Sequence, residues 1–376
     1  MSTLPTVCHL TTVHKRSDTR IFIKQCTALA VWGYNVHLVV ADGLGNEEKE
    51  GVKIHDIGRP NGKLQRMLLF SSKIFKKAIK IDADIFHFHD PELMFVGGKL
   101  IGRGKRVVYD VHEDLPRQIF TKPYLPKFAM RLVSVMIEKL ENKMAKKYDV
   151  IITATPHIRN RFLTLNKKTY VVHNYPLLSE YESITSRWEE KEQAICYIGG
   201  IYEVRGIYEN IEALGSSGLK MILAGVFQPK EFQEKCEKSK GWKYVEFAGF
   251  VNREEMASIL ARSKAGMVTL HPTVNYVDSL PVKMFEYMAA GIPVIASNFK
   301  LWRTIVEGSE CGICVDPVNT AEIAKAIKSI LSNDSMAQQM GENGKKAVLE
   351  RYNWEIEKKT LFKVYGGLTN KSLGIA

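Results

Sequence analysis

The chain has 376 residues, 45% hydrophobic and 25% charged, with a formal net charge of +12. That length implies about two domains, and the composition excludes disordered and collagen-like classes. No apolar run reaches the roughly 18–20 residues that cross a bilayer, the N-terminus "MSTLPTVCHLTTVHKRSD" lacks a signal-peptide layout, and six scattered cysteines make no disulfide framework. A cytoplasmic protein with an anionic partner is expected: nucleic acid, a membrane surface or a phosphorylated small molecule.

The first predicted strand, "TVCHLTTV", runs into a glycine-free basic loop, "TTVHKRSDTRIFIKQ". Arg16 and Arg20 are candidates to contact phosphate and Asp18 to orient an acceptor hydroxyl; a solvated loop with an Asp–Arg pair accounts for them equally well. Strands "NVHLVVA", "DIFHFHD" and "RVVYDVHED" follow. Two helical stretches, 63–81 and 126–149, are basic and partly apolar. Met67, Leu68, Phe70, Ile74 and Phe75 could face a membrane, with Lys76 and Lys77 at lipid phosphates; alternatively both stretches cover a sheet. His87, His89 and Asp90 invite a metal, but the two histidines share one face of a core strand, so no metal site is assigned. "DAD" at 82–84 reads as a surface turn. His112 lies in a loop at a strand end, with Glu113 and Asp114.

"DVIITATP" and "TYVVHNYP" close the first strand-helix series, and the charged stretch "SEYESITSRWEEKEQ" separates it from a second. That series holds "AICYIGG", "KMILAGV", "AGMVTLHP" and "IPVIAS", then helical segments. Asn252 with Glu255, and Asn319 with Glu322, have capping-box spacing. Strands alternating with helices imply α/β architecture with parallel sheets. Two doubly wound domains, 1–176 and 193–352 about a linker at 177–192, would form a cleft where their strands end. "CGIC" at 311–314 has no second pair and reads as core thiols. Neither a dinucleotide fingerprint nor a P-loop occurs.

In "VDSLPVKMFEYMAAGIPVIASN" a carboxylate, Glu286, stands among apolar residues of a predicted helix. The free amides at that helix start would hold a phosphate near Ser279, Leu280, Pro281 and Lys283, with Lys283 adding charge. One turn on, Glu286 could accept two hydrogen bonds from a vicinal diol such as a ribose. Asp278 could reach the next group along. Those parts make up a nucleotide sugar.

The segment resembles the retaining glycosyltransferases of the GT-B fold, family 4 (group 1), whose hallmark is an acidic pair with seven residues between its members, ending in Glu-x-Met-Ala-x-Gly-x-Pro-Val. Here the pair is Asp278, in place of the usual Glu, and Glu286. The resemblance implies that Glu286 holds the ribose and Asp278 contacts the sugar. "YIGGIYEVRGIYENIEAL" is similar to the start of the family's second domain, where Arg and Lys grip the diphosphate; here those positions are Gly200 and Arg205, so one cation is missing, and Arg16, Arg20 or Lys283 are candidates to replace it. His112 matches a family histidine that contacts the donor sugar. "RYNWEIEKKTLFKVYGGL" resembles the family's last helix, implying that 353–376 returns to the first domain.

The resemblance further implies retaining transfer from a nucleoside-diphosphate sugar, with His112 and Asp278 catalytic, to a hydroxyl of a lipid-linked or oligosaccharide acceptor in bacterial surface polysaccharide synthesis, and no metal or cofactor. The diphosphate would take the acceptor proton, and the enzyme would work by positioning and charge stabilisation. With the net charge, it places the protein at the inner face of the membrane. A nucleotide-sugar epimerase of the same fold, or a basic nucleic-acid-binding protein, is the alternative; no recognised nucleic-acid motif occurs.

Overall fold

The computed structural model describes residues 5–121, 126–182, 184 and 187–369. The chain divides into two compact units, 1–174 with 355–376, and 175–354. The segment read as a linker, 177–192, belongs to the second unit. Tyr181, Ile184 and Trp188 are buried there, because these three large apolar side chains outweigh the charged residues around them. Of that segment, 183 and 185–186 lie outside the described residues, as do 370–376 of the last helix.

The first unit is built on β1 (Thr6–Leu10), β2 (Asn35–Val40), β3 (Glu47–Lys49), β4 (Val52–Asp56), β5 (Ile85–Phe88), β6 (Arg106–Val111), β7 (Val150–Thr153) and β8 (Thr169–Val171). Their order is β3-β4-β2-β1-β5-β6-β7-β8, parallel except for the β3–β4 pair. β5 and β7 are buried along their whole length, as central parallel strands covered on both faces must be. β3, "EEK", is wholly exposed and carries no apolar pattern to betray a strand. The last described helix, Trp354–Thr369, packs within this unit: Tyr365 Oη lies 2.8 Å from His87 Nδ1, and Glu357 accepts from the His173 backbone.

The second unit holds β9 (Ala194–Ile198), β10 (Lys220–Ala224), β11 (Val245–Gly249), β12 (Ala265–Val268), β13 (Val294–Ser297) and β14 (Gly312–Val315), all parallel, ordered β11-β10-β9-β12-β13-β14. This is the dinucleotide-fold order 3-2-1-4-5-6, which reverses between β9 and β12. In the first unit the order reverses between β1 and β5. Ligands of doubly wound sheets bind at the carboxyl ends of strands flanking such a reversal. In both units the predicted site residues follow those strands or their neighbours.

Candidate active site

In the second unit, β9 ends at Ile198 and passes through Gly199 and Gly200 to a short turn, Glu203–Arg205. β12 leads through a loop to the helix Val282–Ala289, capped by Pro281, which donates no amide of its own. Lys283 in that helix reaches back over the β9 end. Its ammonium donates to Tyr197 Oη at 3.2 Å and lies 4.6 Å from the centre of the Tyr197 ring. A Cβ on Gly199, whose φ is +135°, would sit 2.4 Å from Lys283 Nζ. Glycine there gives the lysine its path.

Arg205 lies 5.1 Å from the centre of the Tyr276 ring, and its Nε is buried with no hydrogen-bond partner among the described residues. Burial and then the Arg205 charge push the Lys283 ammonium down to about 8, with Glu286 acting in the opposite direction. Two cations thus share one half-buried place at a helix start. The second cation beside Arg205 is Lys283, while Gly200 only accepts from Tyr197 Oη at 2.8 Å.

Glu286 is half-buried rather than core, on the side of its helix next to Tyr181; burial and the Glu286 carboxylate raise that phenol. Met284, Phe285, Tyr287 and Met288 take the buried face. Asp278 is exposed on the preceding turn. Ser279 is fixed there by the Trp302 indole, which donates to its carbonyl at 2.7 Å, and Leu280 packs on the core.

The basic loop of the first unit does not offer free arginines. Arg20 is buried, bonded to Asp110 at 2.7 and 3.0 Å and to the Val172 carbonyl at 2.7 Å, so all faces of its guanidinium are engaged. Arg16 pairs with Asp42 at 2.7 Å and Glu47 at 3.2 Å. Asp18 accepts the amides of Arg20 and Ile21 as a helix cap and pairs with His14 at 3.1 Å. The expectation of phosphate contacts from Arg16 and Arg20 is corrected accordingly: acids distant in sequence, Asp42 and Asp110, claim both.

Around His112 the structure assembles a cluster the sequence only hinted at. His9 from β1, His87 and His89 from β5 and the turn after it, and Asp110 from β6 are all buried. His89 Nδ1, Asp110 Oδ2 and His112 Nε2 lie 3.2 Å from one another. These three, and His9, His87 and His89, are donor sets able to converge on a cation. However, Asp110 Oδ2 already accepts from Arg20 and from Gln25 at 2.9 Å, and the adjacent guanidinium neutralises it, which opposes a second cation. Alternating "HFH" was the available signal; the contributions of His9 and Asp110 needed the sheet register, which aligns His9 with His87.

Comparison with known proteins fits this geometry. The profile of the Glycosyl transferases group 1 matches residues 180–347, and that of Glycosyltransferase Family 4 matches 20–175. The chain belongs to this family. It is a glycosyltransferase of the GT-B fold. It is 22% identical to the D-rhamnosyltransferase WbpZ of Pseudomonas aeruginosa over 343 residues, covering 86% of this chain and 85% of that one. Among solved structures, sucrose-phosphate synthase from Thermosynechococcus elongatus superposes with a TM-score of 0.76 at 18% identity, over 97% of this chain and 99% of that one. Anabaena HepE in complex with UDP does so with a TM-score of 0.73 at 15% identity, over 96% and 100%. Membership favours sugar transfer over the epimerase and nucleic-acid readings.

Proposed function

We propose that this glycosyltransferase is a retaining enzyme that takes a sugar from a UDP- or GDP-linked donor and places it on a hydroxyl of a lipid-linked or oligosaccharide acceptor in bacterial surface polysaccharide synthesis. The observation that carries the donor assignment is the pairing of Arg205 and Lys283 at the start of the helix Val282–Ala289, with Glu286 one turn further on. Two cations that repel each other across one half-buried place, with Glu286 offsetting only part of that effect at Lys283, suit a diphosphate. Glu286 then receives the ribose hydroxyls, and Asp278 and His112 have the donor sugar as their partner. Phosphate charge developing on the leaving group is stabilised by the same two cations, and no metal is required for that step. The similarity to a D-rhamnosyltransferase supports sugar transfer, and that to a protein solved with UDP supports a nucleotide-linked donor.

A thermal-shift panel of UDP, GDP, ADP, CMP and their sugars tests the donor reading. One nucleoside diphosphate is expected to stabilise the protein selectively, and Glu286→Gln to weaken its binding by about tenfold, the loss of a charge-assisted hydrogen bond. Unchanged binding by that variant removes the ribose assignment.

The lipid-linked acceptor is supported by the outer face of the first unit. On the helix Lys127–Ala145, Phe128 is 80% exposed, Leu132 62% and Met136 61%, and the exposed charges Arg131, Lys139 and Lys143 are all basic. Glu141 is buried against Arg161, and Glu138, 31% exposed, is paired with Arg117. In the stretch 63–81, Leu64, Met67, Leu68 and Leu69 are exposed, whereas Phe70 and Ile74 are core residues, which corrects the expectation that those two meet a membrane. An apolar row whose most exposed charged neighbours on the helix are cations suits an anionic bilayer. Flotation with vesicles containing phosphatidylglycerol is expected to capture the protein, and a Phe128→Ser, Leu132→Ser, Met136→Ser variant to stay behind. Equal capture of both removes this helix from the membrane contact.

A further inference from the structure

The cluster beneath His112 has one consistent assignment of protons, and it determines which nitrogen His112 offers. Burial holds His9, His87 and His89 well below the ordinary histidine range, so each is neutral. Although burial alone would raise it, the Arg20 charge and neighbouring imidazoles hold the Asp110 carboxyl well below its usual range, so it only accepts. His89 Nδ1, 3.2 Å from Asp110 Oδ2, must therefore carry a proton. A neutral His89 then has a lone pair at Nε2, and His9 Nδ1, 2.9 Å away, must donate to it. His9 Nε2 in turn accepts from the Tyr365 hydroxyl at 3.3 Å. The Tyr365 oxygen accepts from His87 Nδ1 at 2.8 Å. That leaves a lone pair on His87 Nε2, which is buried without a partner and stands 3.8 Å from Asp110 Oδ2, farther than the two N–H groups at 3.2 Å. Reversing the chain would turn a bare His89 Nδ1 toward the Asp110 carboxylate oxygen 3.2 Å away, lone pair against lone pair. The donors run head to tail from His87 through Tyr365, His9 and His89 to Asp110.

His112 Nε2 is 3.2 Å from the same carboxylate oxygen, and a lone pair there would be repelled, so it too carries a proton. Resting on the proposed placement of His112 beside the donor sugar, we propose that Asp110 and the chain His89–His9–Tyr365–His87 are positioning residues that hold neutral His112 as its Nε2–H tautomer and present Nδ1 as an acceptor to a sugar hydroxyl. The side chain of His112 is 18% exposed, and Nδ1 has no partner among the described residues. Arg20 and Gln25 anchor Asp110, and Tyr365 ties the arrangement to the last helix. The conventional second partner of an imidazole thus sets its tautomer, as carboxylates do for histidines elsewhere.

Long-range proton–nitrogen spectra of histidine-labelled protein at pH 7.5 read the tautomer directly, with His112→Gln assigning the signal. The expected spectrum has Nε2–H and a bare Nδ1 on His112. Tyr365→Phe removes a hydroxyl from the chain while keeping the ring, and is expected to mix the His89 and His9 tautomers and lower turnover of the stabilising nucleotide sugar more than its KM. Asp110→Asn is expected to mix the His112 tautomers and lower turnover at least about tenfold. A neutral Nδ1–H His112 in the unsubstituted protein overturns the inference whatever the variants do, as does stoichiometric Zn²⁺ binding that shifts His89 and His112 together. Nucleotide binding alongside the Nδ1–H form leaves the proposed function standing without this positioning; the Nε2–H form with no nucleotide binding leaves the tautomer and defeats the donor reading.

Discussion

Lys283 joins two energetic demands in a single side chain. It is held over glycine backbone beside Arg205, with burial and that like charge lowering it to about 8. Only the ammonium grips an anion, so nucleotide affinity is expected to be constant below pH 7 and to weaken by up to about tenfold per pH unit above 8. A bound diphosphate raises the lysine again, so binding near pH 8 takes up a proton, detectable by calorimetry in buffers of different ionisation enthalpy. Binding that is flat to pH 10 with no proton uptake places the diphosphate elsewhere. Glu286 was visible in the sequence as a carboxylate at odds with its helix. Lys283 was visible as a cation, but its partnership with Arg205 needed the loops after β9 and β12 brought together. Arg16 and Arg20 misled because sequence shows a charge and not the acid that consumes it.

Among elements, the strand-to-turn corner at Gly199 does the most for the site. Its φ of +135° suits only glycine, and a methyl group there would meet Lys283. Gly199→Ala is expected to cost about 1–3 kcal/mol of stability from backbone strain and to weaken nucleotide binding as much as Lys283→Ala does. A variant that melts lower but binds normally shows that the lysine has another route. Elements with strong periodicity were legible. Ten of the strands follow β-branched runs, and Asn252 with Glu255 forms the complete reciprocal capping box. Asn319 caps its helix, but Glu322 bonds the Asp316 amide instead, so the same spacing gave half of that motif. The edge strands β3 and β11 were missed because a strand held on one side needs little apolar patterning, and β4, which lies between β3 and β2, was missed with them.

For the molecule as a whole, three buried neutral histidines sit in the first unit and none of that kind belongs to the second among the described residues. Unfolded histidine takes a proton near pH 6.5, and these folded ones do not, so their contribution is intact above that pH and is lost as pH falls. Each adds about 1.4 kcal/mol per pH unit of destabilisation below it. Hydrogen exchange at pH 5 against pH 7.5 is therefore expected to show protection lost in β1, β5 and β6 before β9, β12 and β13. Equal loss in both units would mean the cluster is open to solvent. The sequence alone determined the alternation of strands and helices, the two-domain scale, and the family-bearing segment around Glu286, because those signals are local: periodicity, caps and residues within a few turns. Tertiary structure decided which charges are spent in ion pairs, which cation joins Arg205, where the apparent linker belongs, and how four histidines, an aspartate and a tyrosine up to hundreds of residues apart meet at one strand reversal. Parallel sheets bring together residues that no sequence window contains, since each neighbouring strand arrives only after a crossover.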